Sequence, residues 1–206
     1  MPVNTNRLNK IRYTLYAPIY DWAAKILEHS RAKAIQQLEI KPGAKILIVG
    51  AGTGMDLEYL PHDCKITATD ITPAMVNRIA SRNRDLNLNL ESLVMDGQNL
   101  TLQDKSFDIV ILHLVLAVIP NPIKTICEAE RVLKPGGHIS VFDKFVPANQ
   151  KPSISRKLFN VFTNLFFSNI TRSFEQIVSH TNLKILSDNK ANLGGMFRII
   201  LLMKSI

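Results

Sequence analysis

Three glycines alternate with small residues in Gly50-Ala51-Gly52-Thr53-Gly54, directly after the apolar run Lys45-Ile46-Leu47-Ile48-Val49. Glycine has no Cβ, so a loop of this kind turns tightly and lets a ligand approach the backbone. The spacing is G-x-G-x-G, not the G-x-G-x-x-G that seats a pyrophosphate at a helix N-terminus, and Asp56 stands where such a phosphate would need room. A ligand without phosphate fits this loop better. Asp70 follows 16 residues after Gly54, at the end of the next apolar run. A carboxylate there accepts both ribose hydroxyls of a nucleoside lying across the strand ends. Asp96-Gly97 ends a third run and offers an acceptor for an adenine amino group, with a glycine that lets the base come near.

Strands and helices must hold these groups, and the residue pattern supplies them in alternation. Residues 45–49, 65–69, 90–94, 107–112 and 138–142 are short apolar runs of the kind buried parallel strands require. Between them lie a helix opening at Met55, a helix begun by Thr72-Pro73 and running to about Asn83, and a helix over 122–133 stopped by Lys134-Pro135-Gly136-Gly137. Such alternation predicts a parallel sheet with helices on both faces. Residues 7–38 carry apolar side chains at helical spacing and read as two helices divided near Pro18, ahead of the turn Lys41-Pro42-Gly43. Beyond residue 146 come a Pro-containing turn, a Phe-rich stretch over 158–167, a helix over 172–180, and two strands, 183–186 and 197–203, joined through Gly194-Gly195.

The 206 residues suit one domain, and a hydrophobic fraction of 46% with 20% charged residues is that of a globular protein. The longest apolar stretch, 109–119, is broken by His113 and is too short to span a bilayer. The polar start of the chain does not read as a secretory signal, so a cytoplasmic protein is expected. Cys64 and Cys127 have no metal-ligand spacing, and the five histidines are scattered, so no metal site is expected. The net charge of +8 is unevenly spread: residues 1–45 carry a surplus of five positive charges and 144–206 a surplus of seven, whereas 46–143 carry an excess of four negative ones. Basic flanks around an acidic centre point to an anionic partner such as a phospholipid surface, a nucleic acid or a phosphorylated substrate.

The glycine loop, the ribose and adenine carboxylates, Phe107-Asp108 opening a fourth strand and Leu133-Lys134-Pro135-Gly136-Gly137 before the fifth, taken in this order, resemble the class I S-adenosylmethionine-dependent methyltransferases over residues 44–145. The resemblance implies an α/β, Rossmann-like seven-stranded sheet, mostly parallel with an antiparallel last strand, under an N-terminal helical lid. Residues 1–43 would form that cap, 44–145 the cofactor-binding core, and 146–206 a Phe-rich segment with the closing helix and hairpin of the same single domain. It also implies S-adenosyl-L-methionine held at Gly50, Ala51, Gly52, Thr53, Gly54, Asp70, Ile71, Met75, Asp96, Gly97 and His113.

Tyr16-Ala17-Pro18-Ile19-Tyr20-Asp21, with Arg12-Tyr13 before it and Phe142-Asp143-Lys144-Phe145 after the fifth strand, is similar to bacterial phosphatidylethanolamine N-methyltransferases and quinone-biosynthesis C-methyltransferases. That likeness implies Tyr16 and Tyr20 at the acceptor. The Asn/Asp-Pro-Pro-Tyr/Phe motif of nucleic-acid amine methyltransferases is replaced by His113-Leu114-Val115-Leu116, which argues against a nucleic-acid acceptor. Arg7, Lys10, Arg12 and Lys25 interleave with Leu8, Ile11, Leu15 and Ile19, and Arg156-Lys157 precede the Phe-rich stretch, the composition of an interfacial amphipathic surface at the inner membrane face. A sulfonium already activates the methyl group, so the protein has mainly to align the reactants and exclude water. An ammonium acceptor must first lose a proton, and His113 and Tyr20 are the candidate catalytic groups. Three functions fit: a phosphatidylethanolamine N-methyltransferase, a C- or O-methyltransferase of a quinone or other small molecule, and a cofactor-binding protein without turnover.

Overall fold

The computed structural model describes residues 27–146, 171–191 and 196–206. Seven strands form one sheet: β1 (Lys45–Val49), β2 (Lys65–Asp70), β3 (Leu90–Val94), β4 (Phe107–His113), β5 (Leu133–Lys144), β6 (Leu183–Lys190) and β7 (Phe197–Lys204). Their spatial order is β3-β2-β1-β4-β5-β7-β6. The first five strands are mutually parallel, and β7 runs antiparallel to both neighbours. The helices described are α1 (Glu28–Gln36), α2 (Pro73–Leu86), α3 (Pro122–Val132) and α4 (Phe174–Val178).

Strands in the middle of such a sheet are covered on both faces, so their side chains must be apolar in both directions. In β1, Leu47 and Val49 point into a core with Val110, Leu112 and Val141, sealed by Ile126 and Ala129 of α3 and by Phe174 and Ile177 of α4. Ile46 and Ile48 point the other way, to Ile66, Ala68 and Ile111, under Ile35 of α1 and Ile79 of α2. The period of two along each strand therefore divides one apolar run between two cores.

The structure departs from the sequence expectation at several elements. Met55–Tyr59, expected to open a helix, is a five-residue 3₁₀ turn entered from Gly54 in the left-handed conformation. Thr72 makes no side-chain cap to α2; the Asp70 carboxylate instead accepts from the Thr72 N–H at 2.8 Å. The fifth strand begins at Leu133 and not at His138, and its register against β4 shifts between Phe107 and Ile109. Gly137 tolerates that irregularity because a Cβ there would lie 2.8 Å from the Asp108 carbonyl oxygen. β6 extends to Lys190, well past the apolar residues that suggested it. The helix expected over 172–180 is the shorter Phe174–Val178, capped by the Ser173 hydroxyl. The first of the two N-terminal helices, the Phe-rich stretch and Gly194-Gly195 lie outside the described residues.

Behind the glycine loop sits a buried ionic cluster. Asp56, 2% exposed, accepts from Arg31 of α1 at 2.9 Å and pairs with His113 Nδ1 of β4 at 2.8 Å. The other ring nitrogen, Nε2, meets the Ser140 hydroxyl of β5 at 3.0 Å, and that hydroxyl donates to the Ala34 carbonyl of α1 at 3.1 Å. Burial pushes the Asp56 carboxyl up, but the adjacent Arg31 and His113 outweigh it and hold the group well below the usual carboxylate range. Breaking such a pair strands a charge in low dielectric, so Asp56→Asn is expected to lower the unfolding free energy by about 3 kcal/mol at pH 7. A folded pKa below the unfolded one contributes stability that is present above about pH 4 and lost as the pH falls toward the depressed value. Denaturation of both proteins should therefore show their stability gap narrowing below about pH 4.

Candidate functional site

The order of strands reverses between β1 and β4, since the chain proceeds from β1 outward through β2 and β3 and then returns to the other side. At such a switch point the loops leaving the strand ends diverge and open a crevice. A narrow cleft of about 70 Å³ lies there, floored by Val49, Gly50 and Gly52, flanked by Asp70, Ile71 and Met75 on one side and by Met95, Asp96 and Gly97 beyond them. Leu114, Val115, Val118, Ile119 and Pro120 close the opposite wall.

Each polar group in the cleft is held by backbone. One Asp70 oxygen accepts from the Gly52 N–H at 3.0 Å and the other from the Thr72 N–H, which ties the glycine loop to the end of β2. Burial pushes the Asp70 carboxyl up and these two N–H groups pull it down, with burial the stronger. Each oxygen retains a lone pair for a further donor. Asp96 accepts from the Gln98 N–H and from Gln98 Nε2, both at 3.0 Å. Gln98 Oε1 in turn accepts from the Asn121 N–H at 2.9 Å, so the far wall is tied to the same carboxylate.

The glycines serve two different needs. At Gly52 a Cβ would meet nothing within 4 Å, leaving open space beside the cleft floor where a ligand can lie against backbone. At Gly97 a Cβ would lie 2.6 Å from Val49 Cγ1, so this glycine is required by the packing of the floor itself.

Seven of the expected cofactor contacts come together here: Gly50, Gly52, Asp70, Ile71, Met75, Asp96 and Gly97. Ala51, Thr53 and Gly54 do not line the cleft; they shape the loop from behind, through Ala51 N–H donating to the Thr69 carbonyl and Arg82 Nε donating to the Thr53 carbonyl. His113 is corrected more sharply. It is absent from the cleft lining, its side chain is fully buried, and both ring nitrogens are engaged by Asp56 and Ser140, so it is not placed to take a proton from an acceptor. Asp56 likewise points into the protein and not into the loop's mouth. What removes a pyrophosphate seat is the short 3₁₀ turn, which presents no α-helix N-terminus. Tyr16 and Tyr20 lie outside the described residues. The wall over 114–120 was missed, because plain apolar residues after a strand carry no motif.

The cleft fits S-adenosylmethionine by its donor set. A carboxylate at the end of β2 suits ribose hydroxyls, a glycine-backed carboxylate after β3 suits an adenine edge, and the apolar wall suits the faces of the base. Among the described residues no cluster that could hold a metal ion is found.

Residues 47–141 match the family model described as a methyltransferase domain. A phosphatidylethanolamine N-methyltransferase of Cereibacter sphaeroides is 24% identical over 185 residues, covering 88% of this chain and 91% of that protein. A demethylmenaquinone methyltransferase of Tropheryma whipplei (strain Twist) is 33% identical over 114 residues, covering 55% of this chain and 47% of that protein. The crystal structure of a SAM-dependent methyltransferase from Aquifex aeolicus superimposes with a TM-score of 0.63 at 21% identity, over 86% of this chain and 91% of that one.

Two substitutions separate ligand binding from folding. Gly52→Ala places a methyl in open space at a strain of about 1 kcal/mol, so the protein is expected to fold yet bind S-adenosylhomocysteine more weakly by calorimetry. Gly97→Ala is expected to show the reverse priority, a clear fall in melting temperature from its clash with Val49.

Proposed function

Because this chain belongs to the class I S-adenosylmethionine-dependent methyltransferases, we propose that it N-methylates phosphatidylethanolamine at a membrane surface. The observation that carries this reading is the reach of the likeness. The phosphatidylethanolamine enzyme aligns along 88% of the chain, demethylmenaquinone methyltransferases along 55% to 68%. The cofactor half of such enzymes is shared across acceptors, so a match extending beyond it bears on the acceptor itself. The basic surpluses at both ends of the sequence favour an anionic bilayer as the place of work. Among the described residues no helix is long and apolar enough to cross a membrane, so contact through the flanks would be peripheral.

The bound cofactor supplies an electrophilic methyl on a sulfonium, and the residues of this chain have to orient it and keep water out. Asp70 and the glycine loop fix the ribose end, and Val115, Val118 and Ile119 exclude solvent from the base. An ammonium headgroup has to reach the cleft as the free amine. With His113 committed to Asp56, Tyr20 remains the candidate for positioning that amine through its hydroxyl or ring face, with Tyr16 beside it. Methylation of a quinone or another small molecule is the second reading, favoured by the higher identity to the menaquinone enzyme across the shared core.

Labelled methyl transfer from S-adenosylmethionine to phosphatidylethanolamine liposomes, followed by lipid mass spectrometry, distinguishes them. Mono-, di- or trimethylated headgroups that disappear in Asp70→Ala are expected. Cofactor binding with unmodified lipid would transfer the assignment to a small soluble or quinone acceptor.

A further inference from the structure

The wall over 114–120 joins β4 to α3 without regular structure, yet it presses against the glycine loop. A Cβ at Gly50 would lie 2.5 Å from Val115 Cγ2, so the Val115 side chain can rest on the loop backbone only because residue 50 is glycine. Leu114 enters this strap with φ +58°, a left-handed conformation costly for leucine, so surrounding contacts have to impose it.

The Leu114 N–H donates to the Phe142 carbonyl at 2.7 Å, and beyond it the strap is held by two charged residues that do not line the cleft. Asp143, at the end of β5 and fully buried, accepts from the Ala117 N–H at 2.8 Å and from the Lys144 N–H at 2.8 Å. Arg172 donates from one guanidinium nitrogen to the Leu116 carbonyl and from another to the Pro120 carbonyl at 3.5 Å. Its own carbonyl accepts from the Val146 N–H at 2.9 Å, which joins the chain leaving β5 to the chain entering α4. Burial pushes the Asp143 carboxyl up, while the Ala117 N–H, Lys144 and Arg172 pull it down, so the carboxylate and guanidinium sense each other across the strap.

We propose that Asp143 and Arg172 are positioning residues for S-adenosylmethionine: one grips a donor and the other two acceptors of the strap, setting the height of Val115, Val118 and Ile119 over the bound nucleoside. Neither residue touches the ligand. Because Arg172 bonds to carbonyls on both sides of Val118, its loss loosens the wall without emptying the core. The inference rests on the cleft being the cofactor site, which the unmodified protein's binding of S-adenosylhomocysteine checks separately.

The test uses the full chain with Arg172→Gln and Arg172→Lys. Calorimetric titration with S-adenosylhomocysteine is expected to show affinity weakened about tenfold in the Gln variant, with partial recovery in the Lys variant and the melting midpoint lowered only slightly. Amide exchange at Ala117 and Val118 should accelerate in both, and KM for S-adenosylmethionine should rise more than kcat falls. Should Arg172→Gln not fold, Arg172→Lys carries the same comparison, since it keeps the charge but loses the two-pronged donor. A folded variant whose S-adenosylhomocysteine affinity stays within about twofold of the parent overturns the proposal.

Discussion

A carboxylate cannot be buried without a partner, and Asp56 is buried directly behind the glycine loop. Arg31 and His113 answer that demand from two different elements, and the remaining ring nitrogen of His113 extends the connection through Ser140 to the backbone of α1. The helix preceding the sheet, the loop that follows β1 and the ends of β4 and β5 are thereby held as one body. Catalysis of methyl transfer depends on alignment more than on proton chemistry, so a rigid platform under the cofactor loop is what the reaction asks of the fold.

The opposite wall of the cleft is built on another principle. It has no strand or helix to define it and is suspended between side chains: Asp143 and Arg172 hold its backbone, and Gln98 links its end to Asp96. Val115, Leu116 and Ile119 pack into the core from this wall, and the polar tethers fix the backbone that carries them. The tether at Arg172 stands beside the point where the chain returns to α4, so changes in the C-terminal part of the chain have a direct route to the cofactor.

The sheet was legible from the sequence because buried parallel strands must be continuously apolar, as 46–49 and 109–112 are, and because glycine and proline punctuate the connections. The place of Asp70 beside the glycine loop was legible because the carboxylate ends the strand that follows that loop. Edge strand β6 was cut short in that reading, since its last residues Ser187, Asp188, Asn189 and Lys190 are polar and give no apolar run. The partners of His113 were not legible. Its partners Asp56 and Ser140 lie 57 and 27 residues away in the chain, and only the folded sheet brings them to its ring. The strap over 114–120 was not read as a cleft wall because its apolar residues carry no motif and the side chains that hold its backbone, Asp143 and Arg172, lie far along the chain.

The central claim is that a nucleoside methyl donor lies across the strand ends with its ribose on Asp70 and its base beneath the strap. A crystal structure of the protein with S-adenosylhomocysteine tests it most directly. The account predicts both ribose hydroxyls within hydrogen-bonding distance of the Asp70 carboxylate and the adenine between Gly97 and Ile119, with His113 still paired to Asp56. A ligand bound elsewhere, or one whose ribose leaves Asp70 untouched, would contradict it.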